Sequence, residues 1–247
     1  MNDKRDVFIG LVRIWLSLTN TENVDPRAAG QALKSAFFLP NFDFLLCNSA
    51  MSTRIFFAGI LGGVVMFIWT SIAHMMLPLG ETGIKEIPNE SAVVAAMQSN
   101  MGDKTGLYIF PGPGVGENAT RHEKQEAMKK TMDKLATEPS GILMYNSARP
   151  FTFARYLGIE FATEVVEAIL AVFLLAQTSI SSFGGRVGFV LTTGILAAIA
   201  TNISYWNWYG FPTIYTASYI LIQVAGFLCV GIVAALMLGR RSTQPAP

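Results

Sequence analysis

Apolar residues collect into four long runs, Ile55 to Leu77, Ile159 to Ala176, Val187 to Tyr205 and Tyr215 to Leu238. Each is close to the ~20 residues a helix needs to cross a hydrocarbon layer of ~30 Å. The pattern between runs is different. Pro88 to Gln98 predicts a short helix with Asn89 at its N-cap and Val93, Val94 and Met97 on its apolar side. Gly106 to Phe110 and Gly141 to Tyr145 predict strands, and Thr120 to Ala136 predicts a charged helix with Met128, Met132 and Leu135 at near-helical spacing. The fold class that follows is an all-α membrane protein: a four-span transmembrane helix bundle with a small α/β extracytoplasmic insertion between spans 1 and 2. A unit of that size has a thin core, so it is expected to lean on the bundle or on a partner.

The expected organisation is a peripheral or non-native segment over 1–50, a first transmembrane helix in 51–79 and an outer loop domain over 80–158. Transmembrane helices 2 to 4 then occupy 159–241, and 242–247 form a cytoplasmic tail. Val7 to Leu18 suits a short amphipathic helix, whereas Phe37 to Leu46 is apolar but broken by Pro40 and Asp43, too short to span. Met51-Ser-Thr-Arg54 ahead of the first run has the look of a membrane-protein start, a positive residue before a hydrophobic segment. Ser71-Ile72-Ala73 also fits a signal-peptide cleavage site, but the length of the run favours an anchor over an h-region of ~7 to 15 residues.

Composition supports the membrane reading. The chain of 247 residues is 51% hydrophobic and 14% charged, and its mean hydropathy is +0.41. An ordinary soluble domain carries nearer ~25% charged residues. A net charge of +1 lacks the basic excess of a nucleic-acid binder, so nucleic acid is not an expected partner. Lys and Arg set the orientation. Arg54, Arg186, Arg240 and Arg241 flank the runs on one side, and the connection Trp206 to Ile214 carries no charge. Both ends are therefore expected inside, in the cell membrane, although Arg149 and Arg155 oppose this from within a long loop. The two cysteines, Cys47 and Cys229, fall in dissimilar segments and predict neither a disulfide nor a Cys-based metal site.

Candidate chemistry lies in the second run. Glu160, Glu164 and Glu167 share one helix face, because residues three, four and seven apart fall in one stripe. A carboxylate facing acyl chains is costly, so the stripe should point into protein or a wet cavity. At 1.5 Å per residue Glu164 and Glu167 lie roughly 7 and 12 Å inside the run. His74, Asn202 and Gln223 are expected at similar depth, so His74, Glu160, Glu164, Glu167, Asn202 and Gln223 form the candidate polar cluster in the outer leaflet half. Carboxylate and imidazole suit metal binding, with His74, Glu164 and Glu167 as candidates, or proton relay. No HExxH or Cys-based motif fixes a metal, and no cofactor can be named. The plainer alternatives are a solvated Glu160, interhelical hydrogen bonding by Glu164 and Glu167, and an interfacial His74.

Tyr205-Trp206-Asn207-Trp208-Tyr209 supplies the interfacial aromatics, above all Trp206, Trp208 and Tyr209, which suit an anchoring belt or a surface for a flat ligand. Gly59-x-x-x-Gly63 permits close helix packing. Gly112-Pro-Gly-Val-Gly116 lacks the Lys-Ser/Thr of a phosphate loop and reads as a turn, and Asn118-Ala-Thr120 fits a glycosylation acceptor.

Three segments, W-T-S-I-A-H-M-M-L-P from Trp69, G-L-Y-I-F-P from Gly106 and Y-W-N-W-Y-G-F-P from Tyr205, resemble bacterial multi-pass membrane proteins to which no activity is assigned. The resemblance covers Met51 to Leu238 and implies the four-crossing layout in a bacterial inner membrane, without a catalytic residue or cofactor. The expected function is that of an accessory, assembly or small-ligand-binding membrane protein, whose partners are the bilayer and other membrane proteins or further copies of itself. Proton or divalent-cation transport by an oligomer is the alternative, and a metal-dependent enzyme or redox component a third.

Overall fold

The computed structural model describes residues 53–116 and 118–239. The expectations for residues 1–50, the Met51 start, Cys47, Arg240, Arg241 and the tail therefore lie outside the described residues. Among the described residues six α-helices and two strands follow in the order α1 (Thr53–Met75), α2 (Glu90–Met101), β1 (Gly106–Phe110), α3 (Arg121–Leu135), β2 (Gly141–Tyr145), α4 (Phe153–Ala176), α5 (Phe183–Tyr209) and α6 (Thr213–Leu238). Three of them, α1, α5 and α6, are long and apolar enough to cross a membrane. The helix α4 is as long, but Arg155 and the three glutamates interrupt its apolar character, so the fourth span does not follow from length and composition.

The chain divides into two compact units. One comprises residues up to Gly80, Thr152–Ala200 and from Ser218 onward. It is a helical bundle whose close approaches are made by small residues. A methyl group added at Gly59 would lie 2.7 Å from Cα of Ile169, and one at Gly63 would lie 2.5 Å from Cα of Val165. The G-x-x-x-G pair thus sets α1 backbone to backbone against α4, the packing use expected for it. Between these glycines, Gly62 faces Val230 of α6, and Gly226 of α6 faces Met66. Gly194 of α5 accommodates the ring of Phe227. Ala58, Met66, Ala168, Val172, Val190, Phe227, Val230 and Ala234 form the resulting core. Leu61, Ile68, Leu174, Leu196, Leu221 and Leu236 point outward, which suits acyl chains and would be unfavourable in water.

The second unit comprises Glu81–Phe151 and Thr201–Ala217. Its strands pair antiparallel, Leu107 opposite Met144 and Ile109 opposite Ile142, so these four side chains share one face of a two-stranded ribbon. Thr120 begins α3 with a capping box: its hydroxyl accepts from the Glu123 amide, and the Glu123 carboxylate accepts from the Thr120 amide at 2.7 Å. Tyr145 ties β2 to the end of α2 by donating to the Gly102 carbonyl at 2.9 Å.

The expected helix near Pro88 is present as α2, but its start differs in mechanism. Asn89 occupies the N-cap in a left-handed conformation and its side chain makes no capping bond. Asn tolerates that conformation because a short polar side chain relieves the steric cost. No residue of α2 is buried, and Met128, Met132 and Leu135 of α3 are exposed. The apolar faces inferred from spacing are therefore uncovered. Gly112–Gly116 is irregular chain between β1 and α3.

Candidate functional site in the helical bundle

The glutamate stripe grades from open to enclosed along α4. Glu160 is exposed, Glu164 is 4% exposed and Glu167 is half-buried. Glu164 is enclosed because Gly63 brings α1 against α4 at Val165, its immediate neighbour. The Thr70 side chain on α1 lies beside the Glu164 carboxyl group. The carboxyl oxygen Oε2 is buried and has no hydrogen-bond partner. A buried polar atom without a partner is uncommon and points to strain, to a role in chemistry or to a proton or ion.

Thr70 also meets His74. The imidazole Nδ1 lies 2.9 Å from the Thr70 carbonyl oxygen. A carbonyl only accepts, so Nδ1 carries the hydrogen. The ring is held on two further sides. Tyr219 of α6 meets it edge-on, with centroids 5.9 Å apart. Gly80 lies so close that a methyl group there would overlap the imidazole; only glycine lets the chain leaving α1 pass over this ring. One turn further along α6, the Ile222 carbonyl accepts the Trp69 indole N–H at 2.9 Å. Gln223 follows it and is half-buried.

Of the expected cluster, then, Glu164 and His74 meet through Thr70, while Gln223 lies on the helix that holds the other side of His74. Glu160 stays at the surface and Glu167 one turn deeper along α4. Asn202 falls in the second unit, where it donates to the Thr201 hydroxyl at 2.9 Å. The metal candidates His74, Glu164 and Glu167 do not make a donor set, because among the described residues no three His, Cys, Asp or Glu side chains converge. The residues not foreseen are Thr70, Tyr219, Trp69 and Gly80. Thr70 was detectable: it is a polar residue four before His74 and so on the same helix face.

The interfacial aromatics cluster at the end of α5. Trp208 is 79% exposed, and Trp206 and Tyr209 are also exposed. Trp206 donates its indole N–H to the Thr213 hydroxyl at 3.0 Å, closing the turn over Gly210 and Pro212. Tyr205 stacks between Tyr209 and Phe211, with centroids at 5.8 and 5.4 Å. A ring with an apolar body and a wet N–H or O–H suits the headgroup layer.

A comparison of the chain with protein-family models, with curated proteins and with solved structures found no match.

Proposed function

We propose that this chain is an integral membrane protein of four spans, with its ends inside and residues 81–151 outside, and that it works as an accessory or assembly subunit through that outer unit. In a bacterial cell this places it in the inner membrane. The helix α4 becomes the additional span because α1 packs on it beside Glu164, which lowers the cost of placing that acidic residue in hydrocarbon.

The observation that carries the reading is an uncovered apolar surface. Between Glu81 and Phe151 only Ala127 is a buried apolar side chain among the described residues. On the ribbon face, Leu107 is 68%, Ile109 61% and Met144 73% exposed. Two five-residue strands are marginal by themselves and need a covered apolar face or a further strand. Neither strand carries a charge to discourage pairing, the usual protection of an open edge. Apolar surface of this kind marks an interaction site.

The test is site-specific photo-crosslinking in native membranes. A photoreactive residue at Ile109 or Met144 is expected to give one defined product, identified by mass spectrometry as a particular membrane or extracytoplasmic protein or a second copy. The same probe at Lys129, on the charged side of α3, is expected to give none. No product at Ile109 and Met144, or the same products at all three positions, overturns the proposal.

A further inference from the structure

The bundle holds an acidic group with no balancing charge beside it among the described residues. Glu164 is enclosed where α1 packs on α4, and its Oε2 has no partner. The basic residues of the four long helices are few: Arg54 on α1, Arg155 on α4, Arg186 on α5 and none on α6. Arg54 lies sixteen residues before Thr70, on the order of 24 Å along α1, and Arg155 nine before Glu164, on the order of 13 Å along α4. Arg186 bonds the Ile180 carbonyl and lies beside Gly239. Gly239 is seventeen residues beyond the level of Ile222 on α6, on the order of 25 Å.

The groups that do face the site from each packed element add no fixed positive charge beside Oε2. From α1 comes His74, reached only through Thr70, with Nδ1 committed to a carbonyl. From α6 comes Tyr219, whose ring edge meets His74. From α4 itself come Glu160 and Glu167, which repel a second negative charge. An ionised carboxylate with one oxygen facing apolar surroundings is far more costly than a neutral carboxyl group.

What neutralises Glu164 must be small. The carboxyl oxygen has almost no accessible surface, and no donor set for a metal converges there. A hydrated cation or an organic ammonium needs space that the Gly63 and Val165 contact removes. A proton needs none.

We propose that Glu164 is a proton-binding site inside the membrane-embedded bundle, shielded by the close packing of α1 on α4. Glu160 at the surface is the carboxylate from which a proton would pass inward along the same helix face. This site does not depend on the docking surface of residues 81–151, and either can fail alone.

Infrared spectroscopy of the full chain in lipid nanodiscs at neutral pH tests it. The wild-type protein is expected to show the carbonyl stretch of an un-ionised carboxyl group, displaced to lower frequency after equilibration in deuterium oxide. Glu164→Gln is expected to abolish that band. A chain carrying both Glu160→Gln and Glu167→Gln keeps Glu164 as its single carboxyl group on this face and is expected to retain the band, so the test stands even if the first variant does not fold. No such band in the wild type, or a band lost in the double variant, or one that remains in a folded Glu164→Gln protein, overturns the proposal.

Discussion

The Thr70 side chain of α1 lies beside the Glu164 carboxyl group of α4, and this proximity sets the most buried acidic residue of the bundle against the helix that carries His74. Its position follows from the glycines below it. Gly59 and Gly63 let the two backbones approach, and Thr70 is then two turns further along the same face.

Trp69→Phe tests the neighbouring contact, in which the Trp69 indole donates to the Ile222 carbonyl of α6 at 2.9 Å. The indole N–H is lost, but its acceptor already has a partner within the α6 ladder. No stranded group is created, and the ring remains apolar. The expected loss, measured by unfolding in mixed micelles, is below about 1 kcal/mol. A larger loss would show that the Trp69 contact organises α1 on α6 more strongly than its geometry implies.

The spans at α1, α5 and α6 were legible because each apolar run exceeds the length of a membrane crossing, a signal that needs no tertiary context. The enclosure of Glu164 was legible in kind, since a three-and-four spacing puts the glutamates in one stripe and hydrocarbon excludes them. Which member would be enclosed was not. That depends on where Gly63 meets Val165, a pairing between residues about a hundred positions apart. The strands and helices of residues 81–151 were legible from their patterning, but what covers their apolar faces was not. The spacing of Met128, Met132 and Leu135 marks a helix face, but spacing carries no information on whether anything covers that face. Asn89 illustrates the same limit locally, because a good capping residue at the right position entered a left-handed turn and left the cap unmade.

The Thr120 and Glu123 capping box gives the start of α3 a pH dependence. Hydrogen bonds from the Thr120 amide and hydroxyl favour the ionised Glu123 carboxylate and hold it below its ordinary value. A carboxyl group lowered by folding stabilises the folded form above the unfolded-state value, and the contribution disappears as pH falls through the folded value. Hydrogen exchange at the Thr120 and Glu123 amides should therefore accelerate, relative to mid-α3 amides, only below the ordinary carboxylate range. Glu123→Ala should show fast exchange at Thr120 at every pH. Unchanged protection in that variant would mean that the box does not secure the start of α3.

The packing of α1 on α4 makes the sharpest prediction. At Gly63 a methyl group would lie 2.5 Å from Cα and 3.0 Å from the amide nitrogen of Val165, both backbone atoms that no rotamer change can move. At Gly62 the nearest atom is a Val230 side-chain carbon at 3.2 Å, which can yield. At Gly188 on α5 nothing lies within 4 Å. Gly63→Ala must therefore part the two helices, and overpacking of this kind costs about 1 to 3 kcal/mol. Gly62→Ala should cost less, and Gly188→Ala should be neutral or slightly stabilising because alanine favours the helix. The separation that accommodates Gly63→Ala also opens the Glu164 site. A cysteine at position 164 should then react with a membrane-permeant thiol reagent faster in the Gly63→Ala background than beside Gly63 itself. Equal rates, with equal stability for all three glycine variants, would place the glycines outside the interface that encloses Glu164.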